Sequence, residues 1–178
     1  FPNLDIIPAN IDLSAAEIIL INEVAREQAL SRVLRPVVDD YDLIIIDCQT
    51  SLGLLTVNAL TAAHGVFIPL EAEYFAMRGV ALLTEQIERV QDRLNPRLQL
   101  DGVLLTMVYM RTLHSREVMS SVRQGFGDKV YDTYISRTVK FPDATIAAQP
   151  ITEYAPSHAA AEAYRHLARE VIAKGQCA

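Results

Sequence analysis

The 178-residue sequence has no tryptophan, only two cysteines and only seven glycines. Cys48 and Cys177 lack metal-ligand spacing, and so small a number fits a reduced, cytosolic setting. No apolar stretch approaches the roughly 20 residues that span a bilayer, and the first residues lack the layout of a signal peptide. The glycines form no Gly-Lys-Ser/Thr sequence, and the only Gly-x-Gly, Gly125–Gly127, follows a predicted helix. These absences exclude a membrane-spanning helix and a phosphate-binding loop within this chain.

The charge of the chain is negative overall but uneven along its length. The formal net charge is −6, which argues against a generally basic nucleic-acid binder. Between Arg111 and Lys140, however, six basic residues stand against three acidic ones. The basic residues are Arg111, Arg116, Arg123, Lys129, Arg137 and Lys140, and the acidic ones are Glu117, Asp128 and Asp132. This local excess fits either a solvated face or a surface for an anionic partner.

Strand-like and helix-like segments alternate, which predicts an α/β fold with a mostly parallel, doubly wound sheet in a single domain, residues 1–178. The hydrophobic fraction of 51% supplies a substantial core. The predicted strands are Leu4–Pro8, Leu43–Asp47, Gly65–Leu70, Leu100–Met107 and Val130–Ile135. The main predicted helices are Leu54–Ala63, Ala76–Leu94, Ser115–Phe126 and Ala159–Lys174. An earlier helix is predicted to begin at a capping box formed by Ser14 and Glu17.

The segment Leu43–Gly53 carries the clearest functional pattern. Four aliphatic residues lead directly into Asp47, and the chain then enters a polar turn that ends at Gly53. Apolar runs of this kind are typical of central parallel strands, whose carboxyl ends bind ligands in open α/β sheets. The segment is therefore either a buried strand with an ordinary aspartate turn or the acidic motif that helps hold Mg²⁺ in P-loop NTPases. Beside Asp47, the thiol of Cys48 is expected to have a raised pKa, which argues against a nucleophile.

Ordered motifs along essentially the whole chain resemble one family, the ParA/Soj partitioning ATPases. Tyr41–Cys48 followed by Ser51–Leu60 is similar to the Walker B and switch II region of that family. The other matching segments are Ile68–Leu70, Glu73–Ala76, Leu94–Pro96, Gly102–Met107, Arg111–Thr112, Ser115–Val118, Tyr131–Thr133 and Ala161–Ala168.

This resemblance implies a fold of the P-loop NTPase type whose first strand and Walker A loop would lie upstream of Phe1, outside this sequence. It implies an ATP-dependent homodimer that binds DNA nonspecifically and hydrolyses ATP under stimulation by a ParB-type partner. ATP and Mg²⁺ would be bound by the full-length protein rather than by this chain alone, which is expected to be inactive. The expected location is cytoplasmic and nucleoid-associated, without a membrane partner.

The resemblance also assigns residues. Asp47 would be the catalytic acid associated with Mg²⁺. The positions near the adenine would be Met107, Ser136, Arg137 and Thr138. The DNA-binding positions would be Arg111, Arg123 and Lys140, all within the basic stretch.

Three segments depart from the family pattern. Gln49-Thr50 stands where two prolines are usual, Val108–Met110 replaces a polar, glycine-containing segment, and Phe141–Thr145 replaces Leu-Ser-Glu-Ala-Pro. These departures bear on coupling to a ParB-type partner, so a paralogue with another chromosome-organisation role is an alternative. Two further alternatives are a relative of the cobyrinic acid a,c-diamide synthases and a non-catalytic DNA- or protein-binding module.

Overall fold

A computed structural model describes residues 3–73 and 76–174. The matched motif residues Tyr74 and Phe75, and Cys177, lie outside the described residues. The helices are α1 (Leu13–Leu20), α2 (Ala29–Leu34), α3 (Leu54–Ala62), α4 (Ala76–Arg93), α5 (Leu113–Phe126), α6 (Lys140–Ile146), α7 (Ile151–Tyr154) and α8 (Ala159–Ala173). The strands are β1 (Gly65–Glu71) and β2 (Gln99–Thr106). The predictions for α3, α4, α5 and α8 are confirmed to within two residues at each end.

The sheet is parallel, as predicted, and β1 and β2 are its two regular strands among the described residues. Ile68 pairs with Val103, and a register shift lies between Val66 and Phe67. The long helix α4 connects the two strands, because parallel neighbours need a crossover between them. The α/β class with parallel pairing is therefore confirmed.

Strand β2 is covered by helices on both of its faces. Val103 and Leu105 belong to a buried cluster that includes Val90 of α4 and Val122 of α5. The alternate residue Leu104 instead belongs to a second cluster, whose list is Leu104, Tyr131, Ile135 and Leu167. Because successive side chains of a strand point to opposite faces, α4 and α5 cover one face and α8 covers the other. This arrangement agrees with the predicted doubly wound sheet.

The predicted strand at residues 130–135 is only partly formed. Tyr131 N donates to Val103 O at 3.0 Å and Ile135 N donates to Leu105 O at 2.9 Å, so the segment runs along the outer edge of β2. A regular parallel ladder would advance two residues between these bonds, but this segment advances four. The intervening amides of Asp132 and Thr133 donate to the carboxylate of Glu170 on α8, at 2.8 and 3.1 Å. A side chain thus replaces the ladder in the middle of the segment.

The predictions of strands at residues 4–8 and 43–47 are wrong, since no β-ladder of the described ranges includes either segment. Most of their apolar side chains are exposed, with Ile7 at 80% and Ile45 at 82%, whereas Ile44 and Ile46 are half-buried. The two regions touch through Tyr41, whose hydroxyl donates to Asp5 Oδ2 at 2.8 Å. An apolar run in a sequence favours burial, but a β-strand forms only where a neighbouring strand pairs with it.

Many large apolar side chains are exposed in the N-terminal third of the chain. They are Leu4, Ile6, Ile7, Ile11, Leu13, Ile18, Ile19, Ile21, Val24, Val33, Val38, Tyr41, Leu43, Ile45 and Leu52. No residue of α1 is buried. Exposed apolar side chains in such number are expected to favour association with other protein surface.

The predicted capping box on α1 is wrong. Helix α1 already begins at Leu13, after Asp12, so Ser14 lies within its first turn. The Ser14 hydroxyl donates back to Ile11 O at 2.6 Å, and the Glu17 carboxylate accepts from a different helix. Among the described helices, none is long and apolar enough to cross a membrane.

Candidate functional site

A cleft of about 410 Å³ opens at the carboxyl ends of the two parallel strands. Its lining residues are Ala72, Glu73, Met107, Tyr109, Thr112, His114, Ser115 and Arg137. Ala72 directly follows β1 and Met107 directly follows β2, and Ala72 N donates to Thr106 O at 3.1 Å beyond the end of β1. Open α/β sheets bind ligands outside the carboxyl ends of their strands, so this cleft is the candidate site.

Met107 forms one wall of the cleft with a strained backbone. Its φ is 53°, in the left-handed region that a residue with a long side chain seldom adopts. The residue is 44% exposed, so its side chain is available to a ligand. The next residue, Val108, again pairs with the third strand, because its amide donates to Ile135 O at 3.1 Å. Non-glycine residues in this conformation are concentrated at ligand sites.

Arg137 reaches the cleft from the partly formed third strand. Arg137 N donates to Val108 O at 3.0 Å, and Ser136 bridges with Val108 in parallel register. This pairing brings Arg137 beside Met107, 30 positions earlier in the sequence. Ser136 and Thr138 flank Arg137 but do not line the cleft. Two of the four positions assigned near the adenine, Met107 and Arg137, thus meet at one site.

Helix α5 begins at the cleft. Its N-cap residue, Thr112, accepts a hydrogen bond from Ser115 N at 3.3 Å, and both residues line the cleft together with His114. The amino end of a helix carries partial positive charge, which favours an anionic group. Arg137 also lines the cleft, so a cationic side chain and the amino end of α5 share it with the apolar surface of Met107 and Tyr109 and with the acidic side chain of Glu73.

Sequence reasoning missed Glu73, Tyr109, Thr112, His114 and Ser115 as cleft residues. A positional signal was available, because each of them lies two to nine residues after the end of a strand. Glu73 follows β1, and the others lie in the loop and first turn after β2. Carboxyl-terminal loops of parallel strands are the usual source of ligand contacts in this fold class.

Asp47 lies elsewhere and does not line the cleft. It is exposed, in an irregular segment that leads to α3. Among residues 3–73 and 76–174, no group of three or more histidine, cysteine or acidic side chains is arranged to hold a metal ion. Next to Asp47, the Cys48 thiol contacts Ile46 O at 3.7 Å. Desolvation of the sulfur raises the pKa of Cys48 and the charge of Asp47 raises it further, so the predicted direction is confirmed.

The three predicted DNA-binding residues have different environments. Arg111 is exposed at the turn before α5. Arg123 forms an ion pair with Asp132 at 3.3 Å and also donates to Tyr131 O at 3.4 Å, which ties α5 to the third strand. Lys140 forms an ion pair with Asp143 at 3.4 Å within α6. Of the three predicted DNA-binding side chains, only Arg111 is therefore without an ion pair in the described part of the chain.

Comparison with known proteins connects this architecture to a family. A family model described as an AAA domain matches residues 1–100. The Chromosome-partitioning ATPase Soj of Treponema pallidum is 47% identical over 172 residues, which cover 97% of this chain and 68% of Soj. The chain belongs to the ParA/Soj family. An uncharacterised protein of Mycobacterium tuberculosis is 58% identical over 170 residues, 96% of this chain and 54% of that protein.

A solved structure supports the fold assignment for this ParA/Soj-family chain. A cobyrinic acid a,c-diamide synthase from Mycobacterium smegmatis, solved with a bound ATP analogue and magnesium, matches with a TM-score of 0.79 and 40% identity. The match covers 93% of this chain and 61% of the solved chain. The predicted α/β fold of the P-loop type is confirmed by this likeness. The chain spans about half the length of its mycobacterial relative.

Proposed function

We propose that the protein is a ParA-like ATPase that acts in chromosome partitioning and binds its nucleotide at the cleft between the ends of β1 and β2. The observation that carries this proposal is the meeting of Met107, Arg137 and the amino end of α5 at one cleft. Its volume of about 410 Å³ lies within the usual range for small-molecule sites. Identity of 47% to a chromosome-partitioning ATPase supports the biological role.

The chemistry of the cleft suits a nucleotide. Met107 and Tyr109 offer an apolar surface on which a flat base can lie, because thioether and aromatic groups are polarisable and weakly hydrated. Arg137 and the first turn of α5 favour an anionic or hydrogen-bond-accepting part of the ligand. Ser136 and Thr138 adjoin Arg137 in the sequence, and the pairing of Ser136 with Val108 brings this segment to the cleft.

Asp47 is proposed as the catalytic, magnesium-associated acid. Mg²⁺ in nucleotide-processing enzymes is often held by one or two carboxylates together with phosphate oxygens and water, so a single carboxylate fits this role. Asp47 is exposed and available to such an ion. When bound, Mg²⁺ would neutralise charge on the transferred phosphoryl group. The protein's own contribution is to hold the Asp47 carboxylate ready for that ion.

We also propose that Arg111, Arg123 and Lys140 belong to a nonspecific DNA surface of an ATP-dependent homodimer regulated by a ParB-type partner. The local excess of positive charge around them supports this proposal. Arg111 is exposed, and no ion pair among the described residues includes it, so it should contribute most. Arg123 is expected to contribute less, because its guanidinium already serves Asp132 and Tyr131. Such phosphate contacts are strongly dependent on salt.

The test uses the whole protein in an ATP-hydrolysis assay with and without duplex DNA. Asp47→Ala should abolish hydrolysis, and Arg137→Ala should raise KM for ATP by about tenfold, since a hydrogen bond to a charged group contributes about 1.5 kcal/mol or more. Arg111→Glu with Lys140→Glu should remove DNA retention while ATP binding persists. Arg93→Glu with Arg97→Glu makes the same charge change outside the basic stretch and should retain DNA. Failure of the wild type to bind ATP would refute the proposal.

A second candidate, a relative of cobyrinic acid a,c-diamide synthase, rests on the solved structure from M. smegmatis. Both candidates use ATP, so nucleotide binding does not distinguish them. ATP-dependent amidation of cobyrinic acid, with a nitrogen donor present, would favour this second function. Stimulation of hydrolysis by duplex DNA, without amidation, would favour partitioning.

A further inference from the structure

The carboxylate of Glu17, on α1, contacts the segment that follows Asp47. Glu17 Oε1 accepts a hydrogen bond from Gln49 Nε2 at 3.3 Å and another from Leu55 N at 3.4 Å. Leu55 is the second residue of α3. One carboxylate therefore joins the first helix, the start of the third helix and the loop between Asp47 and α3.

Helix α3 depends on another element for its cap. Its N-cap position is held by Gly53, which has no side chain and makes no side-chain cap hydrogen bond. The extended backbone of Gly53, with φ −79° and ψ −171°, is suitable for a capping residue. A Cβ at this position would collide with Glu17 Oε1, so the missing side chain leaves room for the carboxylate. A negative charge at the amino end of a helix is stabilising.

The same contact restrains the loop that carries Asp47. Gln49 is two residues from Asp47, a distance of chain that spans at most about 7 Å. On the other side, the Thr56 hydroxyl donates to Ser51 O at 2.6 Å and fixes the loop against α3. Gln49 stands where proline is usual in the resembling family. Proline has no side-chain donor, so this sequence makes a contact that a proline at that position lacks.

We propose that Glu17 is a positioning residue for Asp47: it caps α3 and holds Gln49, and thereby fixes the loop from which the Asp47 carboxylate projects. This inference rests on the proposed ATPase function, and it adds a contact through which hydrolysis is regulated. A change that moves α1 withdraws the cap and releases the loop. The tie between α1 and the Asp47 loop thus connects hydrolysis to the environment of α1, whose residues are otherwise unburied.

The test measures hydrolysis and hydrogen exchange in the whole protein. Glu17→Ala should lower kcat about tenfold and raise the Mg²⁺ concentration for half-maximal rate, as loss of a supporting contact commonly does, with KM for ATP nearly unchanged. Glu17→Gln keeps the Oε1 acceptor and should restore most of the rate. In the same variants, the Leu55 amide should lose hydrogen-exchange protection in Glu17→Ala and retain it in Glu17→Gln.

A double variant separates positioning from simple helix capping. Glu17→Ala with Gly53→Ser gives α3 a cap of its own but leaves the loop unconnected to α1, and it should keep the low kcat. Full recovery of kcat would show that capping alone was needed and would overturn the proposal. Gln49→Ala removes only the loop contact and should lower kcat severalfold; an unchanged rate would also overturn it. A wild type without hydrolysis refutes the proposed function itself, whereas normal hydrolysis in Glu17→Ala refutes only the positioning role.

Discussion

Replacing Glu170 by alanine should weaken the attachment of the third strand to the rest of the fold. The side chain of Glu170, on α8, is 19% exposed, and its carboxylate accepts from Asp132 N at 2.8 Å and from Thr133 N at 3.1 Å. These two amides face no β2 carbonyl, because the strand advances four residues where a ladder would advance two. Removing the carboxylate therefore leaves both amides without their acceptor.

The size of the effect follows from the exposure of the two donors. A hydrogen bond to a charged group contributes about 1.5–3 kcal/mol net. Asp132 is exposed, so its amide regains water when the carboxylate is removed, whereas Thr133 is half-buried and recovers less. We expect a loss of about 2–3 kcal/mol in the free energy of unfolding, or roughly 4–12 °C in Tm for a chain of this size.

Urea unfolding followed by far-UV circular dichroism measures this difference, and Glu162→Ala supplies a matched control. Glu162 lies on the same helix, but its carboxylate pairs at the surface with Arg165 at 3.2 Å and with His166 at 3.3 Å. Exposed ion pairs contribute little to stability, so this variant should unfold close to the wild type. A larger loss for Glu162→Ala than for Glu170→Ala would refute the reasoning.

Three further predictions concern the backbone, a buried amide and a thiol. Ala148→Gly should stabilise the chain by about 0.5–1 kcal/mol, because Ala148 has φ 51° after the end of α6, and a Tm no higher than that of the wild type would contradict it. Asn58→Ala should destabilise by about 2–4 kcal/mol in denaturant titration, because Asn58 donates to Arg26 O and Leu54 O at 2.9 and 3.0 Å and accepts from Leu30 N at 3.1 Å. Alkylation of Cys48 at pH 8 should be slower than that of a free cysteine, because a raised pKa lowers the thiolate fraction, and Asp47→Asn should accelerate it in site-resolved mass spectrometry.

The sequence predicted the elements whose buried side chains recur at a regular spacing. The apolar stripe of α4 places Val80, Ile87 and Val90 in the core, and the helix was predicted with nearly correct bounds. The parallel pairing of β1 and β2 followed from the alternation of strand and helix. In a helix, the apolar residues that face the core recur every three or four positions, and in a strand every two. This spacing is visible in the sequence.

The errors arose where a distant partner decides the structure. Glu17 has the spacing of a local cap, but its carboxylate binds the amide of Leu55, 38 residues away. Residues 43–47 have the apolar run of a central strand, but no ladder in the described chain includes them. At the cleft, the family resemblance named Met107 and Arg137, whereas Tyr109 and Glu73 lie within three residues after the predicted strands and could have been found from that position. Sequence spacing gives no measure of such long-range contacts.

At Met107, the left-handed backbone and the position in the cleft favour different residue types. At φ 53°, glycine or asparagine would relieve backbone strain, so stability alone favours those residues. The Met107 side chain lines the cleft, so either replacement would also remove apolar surface from the candidate site. Engineering the chain for thermal tolerance by consensus-like replacements would thus exchange ligand affinity for stability at this residue, and stabilising changes are better placed away from the cleft, as at Ala148.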